Sequence, residues 1–206
     1  MSRAPAAEAQ ALARYYRWHA RIYDLTRWSF LFGRDRLTEE IVAQVSPAPR
    51  RILEIGCGTG RNLQALAQRF PKAELHGVDL SADMLDQAGK RLAHCSDRLK
   101  LHHSAYAGLP GQYDLIVASY LLSMVGPGLD QLLADASDNL SARGRIAVVD
   151  FRDTPKPWFR RWMGLNHVHL DDRLLPRLKS HFRVQDSGTR CAYGGLWRWF
   201  WFVGGR

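Results

Sequence analysis

The 206-residue sequence predicts an α/β fold of the Rossmann-like, doubly wound type, and three observations carry that expectation. Strand-like apolar runs alternate with helix-period segments from Arg51 to Asp150. A glycine turn, Gly56-Cys57-Gly58-Thr59-Gly60, follows the first of these strands directly. Two further strand-like runs close the chain, separated only by a hairpin-length connection around Tyr193-Gly194-Gly195. Parallel strands need crossovers, which the intervening helices supply, whereas a short connection pairs its strands antiparallel. The expected sheet is seven-stranded and mostly parallel, with a C-terminal antiparallel hairpin and an N-terminal helical lid.

In the head of the chain, Leu12, Tyr15, Tyr16, His19, Ile22, Tyr23 and Thr26 recur at helical spacing, with Arg14, Arg17 and Arg21 largely off that face. This predicts an aromatic-faced, basic-backed helix. A second helix is expected over Asp35–Val45, and the break Ser46-Pro47-Ala48-Pro49 then separates a lid and substrate-binding region, residues 1–46, from a core of residues 47–206. Together they form one globular domain.

Within the core, strands are expected at Arg51–Ile55, Glu74–Asp79, Leu99–His102, Tyr113–Ser119 and Arg145–Asp150. Helices are expected near Asn62–Arg69, Ser81–His94 and Leu129–Leu140. After the break Asp153-Thr154-Pro155-Lys156-Pro157 come short helices near Trp158–Met163 and Asp171–Lys179, then the hairpin strands Phe182–Cys191 and Leu196–Val203. The run Trp197-Arg198-Trp199-Phe200-Trp201-Phe202 alternates faces as a strand, so it reads as core rather than membrane anchor.

Hydrophobic residues make up 46% of the chain, enough for one domain core. Cys57, Cys95 and Cys191 form no C-x-x-C pair, which argues against a zinc or dithiol site and for a reducing compartment. Met1–Gln10 lacks the apolar stretch of a signal peptide, and no uncharged run approaches the ~20 residues that span a bilayer. The expected location is cytoplasmic, peripheral at the inner face of a membrane. A formal charge of +9 draws the molecule towards anionic surfaces, nucleic acid or acidic phospholipid alike.

The glycine turn carries the chemistry. In doubly wound folds a ligand sits beyond the carboxyl ends of the strands, beside the first one, where Leu53-Glu54-Ile55-Gly56-Cys57-Gly58-Thr59-Gly60 stands. A dinucleotide fingerprint would place its third glycine at position 61, which is Arg61, and the Gly-Lys-Ser/Thr ending of a P-loop is absent. The next strand ends on Val78-Asp79-Leu80, where a carboxylate can accept two ribose hydroxyls.

The compact E-x-G-x-G-x-G form resembles motif I of the class I methyltransferases, with S-adenosylmethionine as cofactor and S-adenosylhomocysteine as product. That resemblance spans about Arg51 to Phe151 and implies a cofactor seat of Glu54, Gly56, Cys57, Gly58, Gly60, Asn62, Asp79, Leu80, Met84 and Ser119. Asp79 would take the ribose, Glu54 would support the methionine end, and Met84 would lie near the adenine. The acid that the family commonly carries after the third strand is missing. Ser104, Ala105 and Tyr106 stand in for it.

Methyl transfer from a sulfonium is an in-line displacement that asks the protein to position a neutral nucleophile in a dry pocket. Aromatic faces favour the ammonium formed from an amine acceptor. The candidates are Tyr16, Tyr23 and Tyr120 as catalytic residues, with Tyr15, His19, Arg27, Trp28 and Ser123 contacting the acceptor.

The stretch from Tyr15 to Arg34, YYRWHARIYDLTRWSFLFGR, is similar to the opening of the betaine-lipid N-methyltransferases. Ser119-Tyr120-Leu121-Leu122-Ser123-Met124, Val149-Asp150-Phe151-Arg152-Asp153, Trp158-Phe159-Arg160 and His167-Val168-His169 are also similar to that family. The resemblance implies an acceptor with a lipid-headgroup amine, diacylglyceryl-homoserine, reached from an anionic membrane surface. It gives Arg14, Arg17, Arg21, Arg27, Arg160 and Arg161, with Trp158, Phe159 and Trp162, an interfacial role.

Rival readings are methylation of phosphatidylethanolamine or a quinone precursor, and a non-catalytic basic membrane-binding module that retains the fold. Nucleic acid is disfavoured as a partner, because Ala118-Ser119-Tyr120-Leu121 replaces the Asn/Asp-Pro-Pro-aromatic box that holds a base amine. No metal is expected, His167 and His169 notwithstanding.

Overall fold

A computed structural model describes residues 31–206, so the predicted aromatic helix of the head lies outside the described residues. The first described helix, α1 (Arg34–Gln44), precedes β1 (Arg51–Ile55), α2 (Arg61–Arg69), β2 (Glu74–Asp79), α3 (Ala82–Arg91), β3 (Leu99–His103) and β4 (Tyr113–Ser119). Then follow α4 (Leu129–Asn139), β5 (Leu140–Asp153), α5 (Pro157–Leu165), α6 (Leu174–His181), β6 (Arg183–Ala192) and β7 (Trp197–Gly205).

The seven strands form one sheet in the order β3-β2-β1-β4-β5-β7-β6. Strands β1 to β5 run parallel, and β7 is antiparallel to both β5 and β6, as the hairpin-length connection requires. The order reverses at β1, whose neighbours are β2 and β4, and a crevice opens beyond their carboxyl ends.

Each face of the sheet carries its own core. One gathers Ile52, Leu75 and Val117 with Leu37 and Ile41 of α1, Leu63 and Leu66 of α2, and Leu85 of α3. The other gathers Leu53, Ile116 and Val148 with Leu129, Leu133 and Ala136 of α4 and Leu174 and Leu178 of α6. Strand β7 feeds both, because its side chains alternate: Trp197, Trp199 and Trp201 enter the first core, Phe200 and Phe202 the second. Helix α1 thus belongs physically to the sheet, although the sequence reading placed it with the lid.

Element ends moved where side chains compete for the backbone. The helix expected from Asp171 begins at Leu174. Asp172 is instead held by both ends of its link to Arg152: its carboxylate accepts from Arg152 Nε at 2.7 Å, and its N–H donates to the Arg152 carbonyl at 3.0 Å. The helix expected to reach His94 stops at Arg91 and continues as a 3-10 turn over Ala93–Arg98. Strand β5 starts at Leu140 rather than Arg145, pairing Leu140 with Tyr113 before a register shift. Among the described residues no helix is long and apolar enough to cross a membrane.

Candidate functional site

The glycine loop leaves β1 folded back against β2. The N–H groups of Gly56 and Cys57 both donate to the Val78 carbonyl, at 2.8 and 3.1 Å. Gly56 has φ +67°, which strains any L side chain, and a Cβ there would stand 2.8 Å from Leu121 Cδ1, so that leucine would have to shift as well. Gly60 starts α2 at φ +76°, and a Cβ there would meet Ala88 of α3 at 3.0 Å. A Cβ at Gly58 would meet no protein atom within 4 Å, because that residue faces open space.

That space is a cavity of about 560 Å3 beyond β1, β2 and β4. Its walls include Glu54, Gly56, Cys57, Gly58, Asn62, Asp79, Leu80, Met84, Ser104, Ala105, Tyr106 and Ser119, all expected at the cofactor seat. Gly60 alone among those candidates does not line it, and its work is the close approach of α2 to α3.

Two carboxylates organise this half. Asp79 accepts the Gly58 N–H at 2.8 Å through Oδ2 and the Ser81 N–H at 2.9 Å through Oδ1, fastening the loop to the start of α3. Burial pushes its pKa up, opposed by those backbone donors. Glu54 is fully buried, accepts from Asn62 Nδ2 at 2.6 Å through Oε1, and has no partner for Oε2 among the described residues. Burial raises its pKa to about 8, against the pull of the Asn62 bond and of Arg34. Burial likewise raises the Cys57 thiol, which leaves it protonated and inert. Tyr106 is oriented by a hydrogen bond from its hydroxyl to Asn139 Oδ1 at 2.8 Å.

The cavity continues past this seat to a second wall made by Leu31, Arg34, Tyr120, Met124, His167 and His169. Arg34 Nε donates to Ser119 Oγ at 3.3 Å, which fixes the guanidinium at the end of β4. Tyr120 sits in the left-handed region at φ +53°, its hydroxyl donates to the Phe32 carbonyl, and its ring meets Phe151 edge-on at 4.7 Å. Burial holds its phenol well above the ordinary range, so Tyr120 offers the cavity an aromatic face and no base. His169 is seated by its N–H, which donates to the Ser123 carbonyl at 2.8 Å.

Ser123, expected to contact the acceptor, is completely buried and does not line the cavity. The short turn Leu122–Met124 aims its side chain inward, and its N–H donates at 3.1 Å to the buried Asp150, whose pKa burial lifts to about 6. Tyr15, Tyr16, His19, Tyr23, Arg27 and Trp28 lie outside the described residues. Arg34 and Arg61 were not singled out from sequence, and neither has a local signature. The alternation in His167-Val168-His169 was the available signal for that part of the wall: Val168 is buried while the two imidazoles face the cavity.

Residues 53–146 match the family model described as Methyltransferase domain. Over 137 residues the chain is 36% identical to the bifunctional biotin-biosynthesis protein BioCD of Bordetella avium, covering 66% of this chain and 29% of that protein. Over 138 residues it is 31% identical to a trans-aconitate 2-methyltransferase of Deinococcus radiodurans, covering 67% of this chain and 47% of that enzyme. The chain thus spans less than half the length of these curated relatives. In three dimensions it resembles 1,6-didemethyltoxoflavin-N1-methyltransferase of Burkholderia thailandensis, with a TM-score of 0.77 at 14% identity over 99% of this chain and 91% of that one. Sheet order, glycine loop and these likenesses agree that the chain has the class I S-adenosylmethionine-dependent methyltransferase fold.

Proposed function

We propose that the protein is an S-adenosylmethionine-dependent methyltransferase acting on a small-molecule acceptor, releasing S-adenosylhomocysteine. The observation that carries this reading is the two-part cavity: a glycine-and-carboxylate seat that continues without interruption into a wall of aromatic and cationic side chains. The seat fits the donor on its own terms. Gly58 opens onto space no protein atom fills, and the partnerless Glu54 Oε2 suits an ammonium group.

The donor, when bound, supplies an electrophilic methyl group on sulfur. The protein's part is to position and to dry. Asp79 keeps acceptor capacity for ribose hydroxyls after its two backbone bonds, since a carboxylate takes about four. Met84, Leu80 and Tyr106 offer apolar surface for a purine ring, and Leu31, Tyr120 and Met124 exclude water from the reacting side.

For the acceptor, the finer reading is the amine of diacylglyceryl-homoserine, trimethylated stepwise to a betaine lipid at the inner face of an anionic membrane. It is supported by the resemblance of the segments around Tyr120, Asp150 and His167, and by the wall itself. An aromatic face suits the growing ammonium, and Arg34 with His167 and His169 suits the headgroup carboxylate. A second reading, a free polycarboxylic acid methylated on oxygen, is favoured by the same Arg34 and imidazoles and by the trans-aconitate 2-methyltransferase among the relatives.

The test is incubation of purified protein with S-adenosylmethionine and each candidate, followed by mass spectrometry of the products. One, two and three added methyl groups on diacylglyceryl-homoserine are expected. Methylation of trans-aconitate alone would replace the lipid reading with the second, and failure to bind the donor would overturn the methyltransferase reading.

A further inference from the structure

Among the described residues seven large hydrophobic side chains are exposed, and five of them, Phe32, Trp158, Trp162, Leu165 and Tyr193, belong to one neighbourhood. Helix α5 carries three at spacing i, i+4, i+7, which puts Trp158, Trp162 and Leu165 on a single stripe. The adjoining stripe, Phe159 and Met163, is buried. Phe159 stacks on the buried Trp197 at 5.4 Å and touches the rings of Trp158 and Trp162, both at 5.6 Å. On the other side of Trp197, Tyr193 lies at 5.0 Å and itself meets Phe32 at 5.3 Å. Leu165 is 79% exposed and Trp158 63%, which for side chains of this size is a large cost in water.

Along α5 and its flanks the charge is one-sided. From Thr154 to Leu170 the sequence contains no acid, while Lys156, Arg160 and Arg161 are exposed. Arg160 is held at the start of α5 by donating to the Thr154 carbonyl at 2.9 Å. Tryptophan beside lysine and arginine on a short amphipathic helix is the composition of an interfacial membrane contact, where indoles settle at headgroup level and cations meet acidic lipid. The surface also borders the cavity mouth at two places. Leu31 lines the cavity next to Phe32, whose carbonyl holds Tyr120, and α5 runs directly into His167 and His169.

We propose that the α5 stripe with Phe32 and Tyr193 is a docking surface for an anionic lipid bilayer, which it sets against the acceptor side of the cavity. The lipid-acceptor reading gives this contact its purpose, but the contact is testable with no acceptor present.

The experiment is flotation of the full chain with vesicles of phosphatidylcholine alone, or mixed in equal parts with phosphatidylglycerol, alongside calorimetry with S-adenosylhomocysteine on every variant. Wild type is expected to float with the mixed vesicles far better than with phosphatidylcholine alone. Trp158→Ser, Trp162→Ser and Leu165→Ser together should weaken that binding by more than about tenfold. Lys156→Glu with Arg161→Glu should weaken it by roughly fivefold per charge removed. Val184→Ser, which removes an exposed apolar side chain on β6, should leave it unchanged. Retained S-adenosylhomocysteine binding shows that the variants are folded, and its absence in wild type would strike the donor site without touching this proposal. The proposal is overturned if wild type ignores the mixed vesicles, or if the triple variant binds them as tightly as wild type. It is also overturned if wild type is a dimer that the triple substitution dissolves, because the surface would then meet a second copy of the chain.

Discussion

Replacement of Asp79 by asparagine is the sharpest probe of the donor seat, because it keeps the shape and removes the charge. In the wild type both carboxylate oxygens are engaged, Oδ2 by Gly58 N–H at 2.8 Å and Oδ1 by Ser81 N–H at 2.9 Å. Asparagine has a single oxygen, so one of these donors must face an NH2 group, and one acceptor for the ribose is also lost. Hydrogen bonds to a charged group contribute ~1.5–3 kcal/mol each, and because the backbone bond is broken with or without the donor, the lost ribose acceptor alone costs donor binding about 1.5–3 kcal/mol. That corresponds to a rise in Kd for S-adenosylhomocysteine of roughly 10- to 150-fold. Stability of the free protein should move far less, by about 1 kcal/mol, since neutralising a carboxylate that burial disfavours offsets the broken backbone bond. Titration calorimetry and a thermal melt read the two quantities separately. A Kd within about threefold of wild type, with an unchanged melt, would refute the assignment of Asp79 to the ribose.

Glu54 predicts a proton linkage. With a folded-state pKa of about 8 against an ordinary 4.5 it carries a proton at neutral pH, and a bound ammonium should expel it. Donor binding at pH 7 is therefore expected to release close to one proton, measured as a dependence of the calorimetric enthalpy on buffer ionisation, and Glu54→Gln should abolish the release. Because the folded pKa lies above the unfolded one, the associated stability is complete below about pH 4.5 and is lost as pH rises through about 8, a slope that Glu54→Gln should flatten in pH-dependent melts. Gly56→Ala forces φ +67° on a side chain whose Cβ meets Leu121 at 2.8 Å, and should cost about 1–3 kcal/mol in denaturant titration as well as most donor binding. Tyr120→Phe removes the bond to the Phe32 carbonyl and should lower stability by about 1 kcal/mol, raising the acceptor KM in steady-state assays while leaving the Kd of S-adenosylhomocysteine unchanged.

The glycine-loop half of the cavity was readable in sequence because it is built from contiguous chain. The loop follows β1 without a gap, and Asp79 ends the next strand, so both are placed as soon as the strands are recognised. At position 60 the glycine also answers to a neighbour that sequence does not show, because a Cβ there would meet Ala88 on another helix. Strand β7 was legible for the opposite reason. A nearly unbroken run of aromatics, interrupted only by Arg198, suits a strand covered on both faces, and its side chains divide between the two cores accordingly. Boundaries failed where a long-range partner decided them, as when Arg152 captured Asp172 and delayed α6.

The acceptor wall obeys a different logic. The donor has a fixed shape, and the backbone must approach it closely, so glycines and a carboxylate recur at fixed offsets from a strand end. An acceptor is met by side chains that the sheet collects from wherever the chain returns to its carboxyl edge. Here they come from Leu31 and Arg34 before β1, Tyr120 and Met124 after β4, and His167 and His169 after α5. No spacing rule connects these positions, and a turn of three residues sufficed to take Ser123 out of the wall and bring its carbonyl to His169. Asp150, fully buried within β5, accepts from the Ser123 N–H, and the Ser123 carbonyl accepts from the His169 N–H, so this acid steadies the turn on which His169 is seated. That part of the cavity is thus assembled only when the sheet brings three separate segments to its carboxyl edge.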